Sequence, residues 1–232
     1  GIAASFDPGK FVKGTEDIDL STTENVRGVA KLGSQAYGNT TVAGGKVYVG
    51  TNNETPRDKR HIGDRGIVYS LDEKTGELEW QLVVPKLGAG KVSDWEYLGI
   101  CSSPAVDGDL VYVVSNRCAI LCLDAKGMAD GNQGYQDEAK FLAGKGKPPI
   151  KPGAKDADII WRFDMRDELG VFPHNIASSS VLIMGDYGYN AALAAASASR
   201  RAAAASSSSL LRYQSASASA SAAASASSSA VR

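Results

Sequence analysis

The chain repeats itself, and the repeat limits its fold more than any other feature. Residues 42–52 (VAGGKVYVGTN) align without gaps on residues 106–116 (VDGDLVYVVSN). Each copy reads as a short strand, a Gly-bearing two-residue turn, and a strand alternating β-branched with aromatic residues, which is a hairpin pattern. A third strand follows each hairpin, at 67–72 (IVYSLD) and 119–124 (AILCLD), and each leads through a turn to a strand carrying a Trp, ELEW at 77–80 and DIIW at 158–161. Another copy starts at Asn175, where SSSVLIMGD sets Gly185-Asp186 in the place of Gly108-Asp109. Four strands per recurring unit predict an all-β chain, a β-propeller built of four-stranded antiparallel blades.

The residues between the third and fourth strands fit that reading. Asp72 can accept backbone N–H groups two residues on, Gly76 can supply the positive φ that closes the turn, and Trp80 offers a large apolar face for the seam between blades. Asp124 and Trp161 hold the matching places in the second unit. Residues 1–38 are expected to form an N-terminal segment and the end of a preceding blade. Residues 39–190 are expected to hold the blades, with insertions at 53–65 (NETPRDKRHIGDR) and 125–157 placed between strands, where added length costs little. MRDEL (165–169) reads as a short helical turn stopped by Gly170.

Residues 191–232 differ in kind. Of 42 residues, 32 are Ala or Ser, and no Gly, Pro, Asp or Glu follows Asn190, so neither turns nor alternating large apolar side chains can be read there. This low-complexity segment breaks the repeat in mid-strand and reads as placeholder sequence for unassigned residues. It also distorts the charge count. Its four Arg and no acid conceal that residues 1–190 carry 21 basic against 26 acidic groups, an ordinary solvated surface. No basic stripe points to nucleic acid, and no apolar run approaches the ~20 residues of a membrane span. The chain starts at Gly1 without a signal peptide, which fits a processed mature chain or a fragment. Cys101, Cys118 and Cys122 form no CxxC pair, and 118 and 122 lie about 13 Å apart on a strand, too far to bridge. All three are expected to be buried thiols.

GKVYVGTN (45–52), LDEKTGELEW (71–80) and SSPAVDGDLVYVVSN (102–116) resemble the pyrroloquinoline-quinone-type (PQQ-like) repeat, over roughly residues 25–190. The runs at 24–39, 94–104 (DWEYLGICSSP) and 168–175 (ELGVFPHN) are similar to poorly characterised exported quinoprotein-like propeller proteins of planctomycete type. Two departures stand out: Gly28 sits where a blade-closing Trp belongs, and the second turn (DAKG, 124–127) lacks the Thr before Gly. The resemblance implies a ring of seven or eight blades, of which about three are legible. It also implies an exported, periplasmic setting.

Two functions follow as expectations. The first is a non-catalytic binding or scaffold propeller, working with protein partners in a larger exported or membrane-associated complex and using no cofactor. The alternative is a PQQ-dependent alcohol or sugar dehydrogenase, with Ca²⁺ beside the quinone and its catalytic residues in unassigned blades. The residues themselves offer less. Asp130, Asn132, Asp137 and Glu138 read either as a polar surface loop or as oxygen donors spaced somewhat as in a Ca²⁺ loop, without the EF-hand's third acid or its Gly at the sixth position. Asp94-Trp95-Glu96-Tyr97 reads either as part of a ligand site or as inter-blade packing with solvated acids. His61 and His174 are the chain's two histidines; His174 reads as structural, and Arg57, Lys59, Arg60, His61 and Arg65, interleaved with Asp58 and Asp64, as a solvated or partner-contacting loop.

Overall fold

The computed structural model describes residues 4–184 and 187–189. A small ladder of β1 (Lys10–Phe11) and β2 (Ile18–Asp19) comes first. Residues 25–40 then carry no strand and lie along the first blade, whose strands pair in chain order: β3 (Thr41–Ala43), β4 (Lys46–Asn52), β5 (Arg65–Asp72) and β6 (Leu78–Pro85). The second blade repeats this order with β7 (Ala105–Asp107), β8 (Leu110–Val114), β9 (Ala119–Asp124) and β10 (Ile159–Asp164). Its insertion holds a short helix α1 (Glu138–Ala143), and α2 (Met165–Leu169) follows β10, stopped by Gly170 in the left-handed region. The third copy contributes the hairpin of β11 (Leu182–Met184) and β12 (Tyr187–Tyr189). Its turn at 185–186 and the Ala/Ser segment lie outside the described residues. The fold is all-β and propeller-like.

Register explains the recurring Trp. Tyr48, Ser70 and Trp80 pair across β4, β5 and β6, and Tyr112, Cys122 and Trp161 pair across β8, β9 and β10, so each blade carries the same row of ring, small side chain, ring. The small middle residue lets the rings meet across it, at centroid distances of 5.9 Å for Tyr48–Trp80 and 6.0 Å for Tyr112–Trp161. In both blades the ladder slips by one residue just before the Trp, at Glu79 and at Ile160. A bulge bends the strand and re-aims the next side chain, here the Trp that enters the seam.

Two of the cores sit between sheets, not within one. Val68, Trp80, Leu82 and Val84 of the first blade pack with Val111, Val113, Leu121, Leu123 and Ile159 of the second. Trp80 Nε1 donates to the Ala125 carbonyl at 2.9 Å, which pins the seam with a hydrogen bond. A second seam joins Ile120, Trp161 and Phe163 to Met165, Ala177, Val181 and Ile183. β5 and β9 are buried on both faces, which is why they read as nearly unbroken apolar runs. At the inner edge, Thr41 Oγ1 donates to the Pro104 carbonyl at 2.6 Å, and the Ser103 amide donates to Ser180 Oγ at 2.9 Å, linking the first strands of successive units.

The second blade's insertion reaches back over the first blade. The Gln81 amide donates to the Lys155 carbonyl and its carbonyl accepts from the Ala157 amide, both at 2.9 Å, so residues 155–157 pair in parallel with the outer strand β6. An outer strand left open would be a template for pairing with other chains. Leu142 of α1 and Ile150 then cover the far face of the first blade, beside Ala30 and Leu32 of the N-terminal segment.

Candidate functional site at the inserted loops

Both insertions end at one junction. Asp58, Arg60 and His61 come from the loop between β4 and β5, and Asp156 from the insertion paired to β6. Arg60 Nη2 donates to Asp58 Oδ2 at 2.5 Å and to Asp156 Oδ2 at 2.9 Å, while Nη1 donates to the Lys151 carbonyl at 2.7 Å. The guanidinium holds the Asp58 carboxyl below its usual range. His61 is 1% exposed, neither ring nitrogen has a hydrogen-bond partner, and burial lowers its pKa. One oxygen of each aspartate and one His61 nitrogen lie within 4.8 Å of one another.

The basic loop is therefore not simply solvated. Arg57 lies 4.9 Å from the Tyr69 ring centroid, and buried Arg65 donates to the Leu142 carbonyl at 3.4 Å. Arg60 and Arg65 hold the insertion of the neighbouring blade, a contact that no local spacing reveals. His174 is exposed.

The four oxygen donors read from the second insertion are divided between two environments. Asp130 pairs with Lys126 at 3.1 Å, and Asp137, just ahead of α1, pairs with Lys140 at 2.8 Å. Asn132 and Glu138 are brought together, with Asn132 Nδ2 donating to Glu138 Oε2 at 2.9 Å. Glu138 is buried with Oε1 unpartnered. Sequence reading missed Asp158 beside this group. It is fully buried, Oδ2 accepts the Gln133 amide at 3.0 Å, and burial pushes its carboxyl up to about 6, with Glu138 adding to the rise. Asp158 opens the DIIW run, which reads only as the strand that carries Trp161.

The segment 94–97 belongs to a different face. Asp94 is buried, accepts the Leu87 and Gly88 amides, and pairs with Lys86 at 2.7 Å. Lys86 also reaches Asp64 at 3.4 Å, and the Tyr97 amide donates to Asp64 Oδ2 at 2.7 Å. Trp95 and Tyr97 are left exposed by this bracing, and of the two acids Asp94 is buried while Glu96, 3.4 Å from Lys91, is solvated. Val92 and the Trp95 backbone bond to Asn175, next to exposed Phe172.

The family described as outer membrane protein assembly factor BamB, a PQQ-repeat family, matches residues 21–145. The chain belongs to this family. A comparison with curated proteins finds no match.

The residues described do not fit a resident quinone. Trp80 and Trp161 are taken up in the two seams, which leaves neither ring free to stack on a planar cofactor, and Trp95 stands on the exposed rim. Asp72 and Asp124 serve turns: Asp72 Oδ1 accepts the Lys74 and Thr75 amides at 2.9 and 2.7 Å, and Asp124 Oδ1 accepts the Lys126 amide at 2.6 Å. The three cysteines are free, buried and apart in sequence, and burial raises their thiols, Cys122 to about 12. Among the described residues no helix is long and apolar enough to cross a membrane.

Proposed function

We propose that this chain is a protein-binding propeller that works as a scaffold subunit in an exported, periplasmic assembly. The reading rests chiefly on the braced rim: Val92, Trp95, Tyr97 and Phe172 stand exposed on loops fixed by the Lys86–Asp94–Asp64 ion pairs and the Asn175 backbone bonds. Large aromatic side chains held rigid on a surface are the residues that dominate protein interfaces. The family's description as an outer membrane assembly factor supports a partner that is itself protein. Native co-purification tests this. Trp95→Ala with Phe172→Ala should release the chain from its assembly while leaving its thermal midpoint unchanged, because neither ring is in a seam.

The competing reading, a PQQ-dependent dehydrogenase using Ca²⁺, makes a different prediction. Reconstitution with quinone and Ca²⁺ would give a bound-quinone absorbance and alcohol or sugar oxidation. The scaffold reading expects neither.

A further inference from the structure

We infer that Asp58, His61 and Asp156 form a binding site for a borderline divalent cation of the zinc class, clamping the second blade's insertion to the first blade's loop. Two observations carry this independently of the acids alone. The His61 imidazole is 1% exposed with neither nitrogen hydrogen-bonded and Nε2 only 3.9 Å from Asp58 Oδ2, and the equally buried Asp156 leaves Oδ1 without a hydrogen bond. A buried polar ring without a hydrogen bond is costly, and such groups in a native fold call for a partner. The three ligand atoms lie within 4.8 Å of one another. Metal–ligand bonds near 2.0–2.2 Å set tetrahedral ligand atoms about 3.4 Å apart, so a small closure of the two loops suffices. One imidazole with two carboxylates selects zinc and its neighbours over the all-oxygen shells of Ca²⁺ or Mg²⁺.

Arg60 is the rival occupant. It already bridges Asp58 Oδ2 and Asp156 Oδ2, and Gly153 donates to that same Asp156 oxygen at 2.7 Å. Asp156 Oδ1 and the His61 ring take no part in that bridge. Arg60 then acts from outside, holding the carboxylates in place while their remaining lone pairs meet the cation. Asp58 is partly exposed and gives the site its approach from solvent.

The chain's two histidines make the test direct. Titrating Zn²⁺ into the ¹⁵N-labelled full chain should show one saturable equivalent by calorimetry and shift the ring nitrogens of His61, leaving those of His174 in place; His174→Ala assigns the signals. His61→Ala, with fold checked by circular dichroism, should weaken Zn²⁺ binding by more than the ~10–100-fold typical of an outer-shell change. If that variant does not fold, Asp58→Asn at the solvent edge should weaken binding about tenfold or more. The proposal is overturned if the wild-type chain shows no saturable binding or if only His174 shifts. Undiminished binding by a folded His61→Ala chain, or binding that arises only after Arg60→Ala, overturns it equally.

Discussion

Gly127 and Trp80 meet across the first seam with no room between them. A Cβ on Gly127 would stand 2.7 Å from Trp80 Cδ1 and 3.0 Å from the Asp156 carbonyl, at a φ of +60°. Gly127→Ala should therefore cost about 3 kcal/mol in urea unfolding, from backbone strain and overpacking together. Gly76→Ala should cost about 1 kcal/mol, because its φ of +72° is unfavourable but its Cβ would only touch Ala30 at 3.9 Å. Trp80→Phe keeps most of the ring and loses the bond to Ala125, an expected loss of about 1 kcal/mol; Trp80→Ala should lose about 3–5. Cys122 holds the row position that Ser70 holds in the first blade, so Cys122→Ser should be tolerated where Cys122→Leu is not. Asp158 gives a pH signature. Its folded pKa near 6 exceeds the unfolded value near 4, so the folded state binds the proton more tightly, and stability falls as pH rises from about 4 to 6, then levels. Asp158→Asn should flatten that profile and stabilise the protein at pH 7.5 by about 2 kcal/mol, read by thermal and urea unfolding across pH. At this scale Trp80, Asp72 and Gly76 were legible because local turn chemistry and a recurring ring reveal them. Gly127, Cys122 and Asp158 were not, because what defines each is a neighbour on another strand or blade.

The elements were readable wherever their pattern is local. The two-residue turns and alternating strands gave both blades and the third hairpin, and MRDEL gave the helical turn before Gly170. The bulges at Glu79 and Ile160 leave no mark on hydrophobic alternation, yet they aim the Trp of each blade into its seam. The insertions were visible as breaks in the repeat, but not their destination. Residues 155–157 cover the outer edge of the preceding blade through pairing that only the folded chain brings together. Ala157→Pro removes the donor to the Gln81 carbonyl. It should speed amide exchange along β6 while β5, hydrogen-bonded on both sides, stays protected.

For the whole molecule, seams hold the blades together and the inserted loops close over their faces and edges. The first blade is sealed on its far face by Leu142, Ile150, Ala30 and Leu32, and on its outer edge by the insertion. Such a body is stiff, and what it displays at the rim is fixed in place. On the proposed protein-binding reading, Trp95, Tyr97 and Phe172 would need little ordering on binding, which favours affinity from a small surface. The most direct test of the protein-binding reading is amide exchange of the chain within its native assembly compared with the chain alone. Slowed exchange at 92–97 and 171–175 in the assembly, with the seams unchanged, is the predicted result. Equal exchange at those segments in both states would contradict it.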